Sequence, residues 1–145
     1  GDFFALNAFL PFTGEGRREA IEQIRHGVAE SFGCVSCLEV GPRYLHSTGQ
    51  LQKGGPNMGV FLILSADELK DVPLAREAES LGALAKAQAS GDLITLADRG
   101  RRCVHLHLPD NSGVTLRCLA QVVNEVIADL LVDRALEADD VPAEA

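Results

Sequence analysis

The segment 41–57, GPRYLHSTGQLQKGGPN, concentrates the side chains best suited to holding an anionic ligand. No carboxylate occurs between Val40 and Ala66, although the chain is otherwise rich in acidic residues. Gly54 and Gly55 allow a ligand to approach the backbone closely. An anion bound by cationic groups, hydroxyls and main-chain N–H groups needs this mixture, and the alternative is a solvated loop. The polar groups that it supplies are Arg43, His46, Ser47, Thr48, Gln50 and Lys53.

The pair Cys34 and Cys37 forms a CxxC motif that could act in redox chemistry or bind zinc. A redox CxxC lies at a helix N-terminus, which lowers the pKa of the thiol. Here the surrounding residues 34–40 have a strand pattern, so an offset of three puts the two thiols on opposite faces. One CxxC without a second pair also favours zinc only weakly. We therefore predict that both cysteines are structural.

Cys103, His105 and His107 alternate along a predicted strand and share one of its faces. These residue types can bind Zn²⁺ or a related ion. Next-nearest residues on one face lie about 7 Å apart, however, so the three cannot all reach one ion without ligands from elsewhere. We predict no metal site and no organic cofactor. His107, nearest the carboxyl end of the strand, is an alternative candidate for lining a ligand site.

The string PRYLHSTGQLQKGGPN, followed by GVFLIL, resembles the late part of the phosphoglucose isomerase module of bifunctional transaldolase–phosphoglucose isomerase proteins. The strings DFFALNAFLP, SLGALAKAQASGDL and ADRGRRCVHLHL are similar to neighbouring parts of the same module. The resemblance covers residues 2–108. It implies a sugar isomerase (SIS) type α/β fold and the aldose–ketose isomerisation of glucose 6-phosphate and fructose 6-phosphate.

The resemblance also implies roles for the polar segment. Lys53 would stabilise the enediolate oxyanion electrostatically, and His46 would assist ring opening. A backbone-bracing role for His46 and a solvent-facing charge at Lys53 are the alternatives. Contacts with the phosphate or the sugar hydroxyls would come from Arg43, Ser47, Thr48, Gln50, Gly54 and Gly55.

Two departures from the family pattern affect this expectation. The chain has Gln52 where the family commonly has His, so proton handling would depend on Lys53 alone. The family module is also several hundred residues long and follows a transaldolase barrel. We therefore expect this chain to be the carboxyl-terminal part of the module and nearly inactive alone. The carboxylate that abstracts the C2 proton is expected in the missing half.

The elements that must position these residues alternate between strands and helices. Apolar runs predict strands over 3–12 and 58–64, and alternation and flanking turn residues predict strands over 34–40 and 101–108. Helical spacing predicts helices over 13–32, 74–96 (interrupted at Ser90–Gly91) and 114–131, with caps at Thr13, Gly33 and Ser112. This order predicts a three-layer α/β sandwich with a small, mostly parallel sheet. Ligands bind at the carboxyl ends of the strands in such sheets.

Composition fits this class. The 145 residues are 46% hydrophobic and carry a net charge of −8, which argues against a general nucleic-acid or membrane-surface binder. No signal peptide or membrane-spanning run is evident, and four cysteines do not make a disulfide scaffold, so a cytoplasmic location is expected. We predict one domain over 1–132 and an acidic, flexible tail over 133–145.

Three functions remain open from the sequence. The first is the isomerase part described above, which would bind glucose 6-phosphate or fructose 6-phosphate and act with the rest of its module and a transaldolase domain. The second is a SIS-type module that binds a phosphosugar without turning it over. The third is a structural unit needed only for assembly.

Overall fold

The computed structural model describes residues 1–14, 16–68, 70–74 and 80–139. Strands and helices alternate along the described chain, as the apolar pattern predicted. The elements are β1 (Phe3–Phe9), α1 (Arg17–Phe32), β2 (Val35–Val40), a 3₁₀ helix (Arg43–His46), α2 (Thr48–Gly54), β3 (Gly59–Ala66), α3 (Leu81–Asp98), β4 (Arg102–Leu108) and α4 (Gly113–Asp139).

The four strands form one parallel sheet in the order β2-β1-β3-β4. The register sets Asn7 opposite Glu39 and Ile63, and Ser65 opposite His107. Strand β2 lies on one side of β1, whereas β3 and then β4 lie on its other side. The topological switch point, where ligands bind in sheets of this kind, therefore lies between β1 and β3.

Helices cover both faces of the sheet, so the predicted three-layer α/β sandwich is confirmed. Helices α1 and α4 pack on the face that carries Leu6 and Leu64. Helix α3 and the 3₁₀ helix pack on the opposite face, which carries Phe61 and Ile63. Side chains alternate along a strand, so successive residues of β1 contribute in turn to the two cores.

The helix ends partly match the sequence prediction. Gly33 ends α1 with φ of 61°, a left-handed conformation that glycine adopts without strain. Ser112 Oγ accepts a hydrogen bond from the Thr115 N–H at 3.1 Å, as predicted for the cap of the last helix. Thr13 is not the cap of α1, because the helix begins only after Gly16, whose φ is 68°.

The two long helices also differ from expectation. Helix α3 runs through Ser90–Gly91 without a break, while residues 75–79 of the predicted helix lie outside the described residues. Helix α4 continues to Asp139 through most of the predicted tail, and residues 140–145 are likewise outside. The outer part of its apolar stripe is not covered, since Val126 is 51% exposed and Leu130 is 52% exposed. None of the described helices has the length and apolarity to cross a membrane.

Candidate functional site

The polar segment 41–57 is folded rather than a loop. It forms the 3₁₀ helix and α2, which connect the carboxyl end of β2 to the amino end of β3. A crossover between parallel strands must travel the full height of the sheet. The segment therefore begins where ligands bind in such sheets and ends at the opposite edge, so the predicted site residues are divided between two places.

The first part lies at the carboxyl end of the sheet. Arg43 and Ser47 line a groove of about 290 Å³ together with Glu39 of β2. Arg43 and Ser47 are exposed, and Glu39 is half-buried. The groove thus has a guanidinium, a hydroxyl and a carboxylate, which can bind a phosphate and sugar hydroxyls.

His46, Thr48 and Gln50 are also exposed on the carboxyl-end half of the segment. The Gln50 side-chain amide donates to the Leu45 carbonyl at 2.8 Å, so it braces the turn between the 3₁₀ helix and α2. His46 and Thr48 do not line the groove that contains Arg43.

The second part lies toward the amino end of the sheet. The Arg101 guanidinium donates to the Lys53 carbonyl at 2.9 Å and to the Gly55 carbonyl at 2.6 Å. Because Arg101 immediately precedes β4, these bonds hold Gly54 and Gly55 at the edge where strands begin. The Arg101 side chain therefore fixes the end of α2.

The Lys53 ammonium forms an ion pair with Asp92 of α3, and the Tyr44 hydroxyl donates to the same carboxylate. The Asp92 side chain is 1% exposed and that of Lys53 is 15% exposed. Burial, followed by the hydrogen bond to Asp92, raises the pKa of Tyr44 far above its ordinary range. The ammonium therefore does not face bulk solvent, and Asp92 offsets its charge.

Sequence reasoning missed Asp92. A signal was present, because Asp92 lies three residues after Ala89 and four before Leu96, and both of these are fully buried on α3. Residues at this spacing share a helix face, so the carboxylate had to be buried as well. A buried carboxylate needs a cationic or donor partner, which Lys53 and Tyr44 supply.

Gln52, the departure from the family pattern, is buried against β1. The Asn7 amide donates to Gln52 Oε1 at 2.9 Å, and the Gln52 amide donates to Asn7 Oδ1 at 3.3 Å. Each amide therefore satisfies the other beneath the sheet. We use the name lysine cluster for the buried set Asn7, Tyr44, Gln52, Lys53 and Asp92.

The cavity at the topological switch point has a volume of about 380 Å³. Its wall is formed by the carboxyl ends of three strands and the loops that follow them, together with the first turns of α3. The residues are Phe9–Pro11 at the end of β1, Gly41 and Pro42 after β2, and Glu68 after β3. None of the predicted site residues lines it. Gly41 is required there because a Cβ atom would lie 2.5 Å from the Phe9 ring.

A second polar cluster lies at the carboxyl ends of β3 and β4. Ser65 Oγ is 2.7 Å from His105 Nε2 and 2.8 Å from His107 Nδ1. His107 Nε2 is 3.1 Å from Asp67 Oδ1, which also accepts a hydrogen bond from Lys86 at 3.0 Å. We call these five residues the histidine cluster.

The electrostatics of the histidine cluster follow from its surroundings. Hydrogen bonds from Lys86 and then from His107 lower the pKa of Asp67. Burial, and then the neighbouring His107, lower the pKa of His105. Cys103 lies on the same face, where burial raises the pKa of its thiol. Within the described residues, no three His, Cys, Asp or Glu side chains are arranged to hold a metal ion.

The cysteines of the CxxC motif lie on opposite faces of the sheet, as predicted. Cys34 packs against the core under α1 and α4, whereas Cys37 packs against the core under α3. Both are free thiols, and burial raises the pKa of Cys37. This geometry fits a structural role.

Neither a scan of protein-family models nor a search of curated proteins gave a match to this sequence. Solved structures do match. A hypothetical protein from Thermus thermophilus has a TM-score of 0.73 and 20% sequence identity over 87% of this chain. The sugar isomerase domain of an RpiR transcription factor from Sphaerobacter thermophilus has a TM-score of 0.53 and 15% identity over 97% of this chain.

At these identities the similarity concerns the fold alone. The chain covers 34% of the Thermus protein and 79% of the Sphaerobacter domain. It therefore spans about a third of the first of these structures. The parallel sheet flanked by helices is an α/β fold similar to that of a sugar isomerase domain, as the resemblance implied.

Proposed function

We propose that this chain is the carboxyl-terminal part of a glucose-6-phosphate isomerase module and helps to bind glucose 6-phosphate or fructose 6-phosphate. The observation that carries the proposal is the groove at the carboxyl end of β2. Arg43 and Ser47 come from the string that resembles the isomerase module, and they line this groove beside Glu39. The fold, similar to that of a sugar isomerase domain, supports the same assignment.

The groove has complementary groups for a phosphorylated sugar. An exposed guanidinium can donate two parallel hydrogen bonds to a phosphate, which adds direction to the charge attraction. The Ser47 hydroxyl can donate or accept, and the Glu39 carboxylate can accept hydrogen bonds from sugar hydroxyls. His46, Thr48 and Gln50 are exposed nearby along the chain and would extend the contacts to a larger ligand.

Catalysis would place further demands on Lys53. The ammonium is paired with a buried carboxylate, so it would have to exchange Asp92 for an enediolate oxyanion to stabilise the reaction. Gly54 and Gly55 lie beside it at the amino end of the sheet, away from the Arg43 groove. The proposed isomerase therefore needs the rest of its module to complete the site, and the isolated chain is expected to turn over little substrate.

The second candidate is a phosphosugar-binding module without catalysis. The Lys53–Asp92 pair favours it, because a neutralised and largely buried ammonium is a poor electrostatic catalyst. Under this alternative, ligand binding at Arg43 is retained and Lys53 serves the fold.

Calorimetric titration of the chain with fructose 6-phosphate and 6-phosphogluconate tests binding. We expect Arg43→Ala to weaken binding at least about tenfold, since a charge-assisted hydrogen bond contributes about 1.5–3 kcal/mol. Arg18→Ala, at an exposed position on α1, is the matched control and should bind like the wild type. Equal affinity in both variants, or no binding by the wild type, would refute the proposed site.

Turnover separates the two candidates. The comparison uses the longer protein that the proposal implies, with and without Lys53→Ala. An isomerase role predicts a fall in kcat of at least about a hundredfold, which is typical for the loss of one electrostatic group at the reacting atoms. Sugar phosphate binding without turnover in the wild type would instead support the binding module.

A further inference from the structure

The histidine cluster contains an unbroken chain of hydrogen-bonding atoms across two strands. Ser65 lies directly opposite His107 in the β3–β4 register, and His105 lies two residues earlier on the same face. The Ser65 side chain bonds to both rings, at 2.7 Å and 2.8 Å. The chain then continues from His107 to Asp67.

The direction of every proton in this chain follows from Asp67. An ionised carboxylate only accepts hydrogen bonds, so His107 must carry a proton on Nε2. In the neutral ring, His107 Nδ1 is then an acceptor, and the single Ser65 proton must point to it. Ser65 Oγ must accept from His105 Nε2, and this leaves Nδ1 of His105 without a proton.

Nδ1 of His105 is thus the basic end of the chain. Among the described residues, no side chain or carbonyl forms a hydrogen bond with that nitrogen. His105 lies on the edge strand β4 and is only partly buried. A proton from a ligand or from solvent can therefore reach His105. It cannot reach Ser65 directly, because Ser65 is 2% exposed.

We propose that His105, Ser65, His107 and Asp67 form a proton relay in which one proton taken up at Nδ1 of His105 is held on His107. The transfer is balanced at each step. The new proton binds His105 Nδ1, the Nε2 proton of His105 passes to Ser65 Oγ, and the original Ser65 proton passes to His107 Nδ1. The product is a neutral His105 and an imidazolium at His107 beside the Asp67 carboxylate.

The surroundings favour charge at the His107 end. His107 Nε2 faces Asp67, whereas burial disfavours a charge on His105. The other charged groups are Lys86 of α3, which shares Asp67, and Asp92 of α3, which acts on Cys103 of β4. Through the Ser65 hydroxyl, the two histidines can take up one proton at His105 and hold it on His107, so that no charge remains on His105.

The Asp67 end of the relay, opposite to His105, lies beside a groove of about 230 Å³ that Asp67, Lys86 and Asp71 help to line. A relay that takes up and releases one proton can provide general acid–base catalysis of the kind that ring opening and enediol formation need. This assignment to sugar isomerisation rests on the proposed function. The relay itself does not.

NMR of the histidine side chains in the full 145-residue chain tests the relay, because nitrogen shifts distinguish the two neutral tautomers and the imidazolium. At pH 8 we expect His105 and His107 both to carry the proton on Nε2. On acidification, His107 should become an imidazolium in the same step in which the proton of His105 moves to Nδ1. Independent titration of the rings, or charge on His105 first, would overturn the proposal.

Variants separate the relay from a merely structural contact. Ser65→Ala should abolish the tautomer change of His105 while His107 still titrates. Asp67→Asn, at an exposed position, should make the coupled step require a more acidic solution, since it removes the carboxylate beside His107. Ser36→Ala removes another hydrogen-bonded strand serine, far from β4, and should leave both titrations unchanged.

Turnover then tests the link to the reaction. In the longer protein, His105→Gln should lower kcat and remove the acidic limb of its pH profile, with KM changed little. An unchanged kcat alongside coupled NMR titration would overturn the assignment to sugar isomerisation and leave the relay established. Failure of sugar phosphate binding at Arg43, in contrast, would count against the proposed function and the assignment that rests on it, but not against the relay.

Discussion

The lysine cluster and the histidine cluster lie on the same face of the sheet, but they differ in how far they are shielded from solvent. In the lysine cluster every major group has a buried partner, because Lys53 and Tyr44 share Asp92 and Asn7 pairs with Gln52. The histidine cluster instead ends at Asp67, whose side chain is 63% exposed. The lysine cluster is buried beneath α2 and α3, whereas the histidine cluster extends to the carboxyl edge of the sheet.

The difference indicates which cluster is suited to chemistry. A closed set of paired groups contributes to the uniqueness of the fold, and removing one member leaves a buried charge or amide unsatisfied. An open set containing two imidazoles can exchange protons with a ligand. Residue type alone favoured Lys53 as the catalytic group. The difference in burial between the two clusters favours His105 and His107 instead.

The largest expected effect is that of Asp92→Ala on stability. The substitution leaves the Lys53 ammonium and the Tyr44 hydroxyl without their partner inside the protein. Breaking a buried ion pair in this way costs about 3–5 kcal/mol, which should appear in urea or thermal denaturation. Asp98→Ala, at an exposed position on the same helix, should change stability by less than about 0.5 kcal/mol. Similar values for the two variants would contradict the description of a closed cluster.

A smaller loss is expected for Gln52→Leu. Leucine fills a similar space but leaves both polar atoms of the buried Asn7 side chain without Gln52. An unsatisfied buried group costs about 1–3 kcal/mol, measured as a shift in the denaturation midpoint at constant slope. Gln23→Leu, on the exposed face of α1, is the control and should have little effect. If Gln52→Leu is neutral, the amide pair does not support the fold.

The sequence predicted the fold well because local signals and burial agreed. Apolar runs, alternation and flanking turn residues identified the four strands of the described chain, and Gly33 and Ser112 identified two helix ends. The start of α1 was missed because a glycine, not a side-chain cap, precedes it. The end of α4 was missed because its acidic, Ala-rich last turns have good helix propensity but no apolar stripe.

The site was harder to predict because it depends on which end of the sheet each residue reaches. The segment that begins with Arg43 starts at the carboxyl end, but a crossover helix carries Lys53 away from it. Its charge partner, Asp92, is distant in sequence and lies on another helix. Ser65 gave no signal of its own, since its two histidine contacts depend on strand register. The shared face of His105 and His107 was visible in the sequence, but their partner was not.

The smallest expected effect concerns the pH dependence of stability. Burial lowers the pKa of His105 below its ordinary value of 6.5, so the unfolded chain binds a proton more readily than the folded one. The stabilising contribution is therefore present above about pH 6.5 and is lost as the pH falls through the lowered pKa. Compared with His105→Gln, the wild type should lose more stability between pH 7 and pH 5 in thermal denaturation. Parallel profiles would show that His105 is not held in its neutral form.

The most direct test of the proposed phosphosugar site is an NMR titration of the chain's backbone amides with fructose 6-phosphate. The proposal predicts shift changes that saturate with ligand and that map to the carboxyl edge, from Glu39 through Ser47, and not to the amino edge around Gly54 and Gly55. Saturable changes centred on Gly54 and Gly55, or no changes at ligand concentrations of several millimolar, would contradict it.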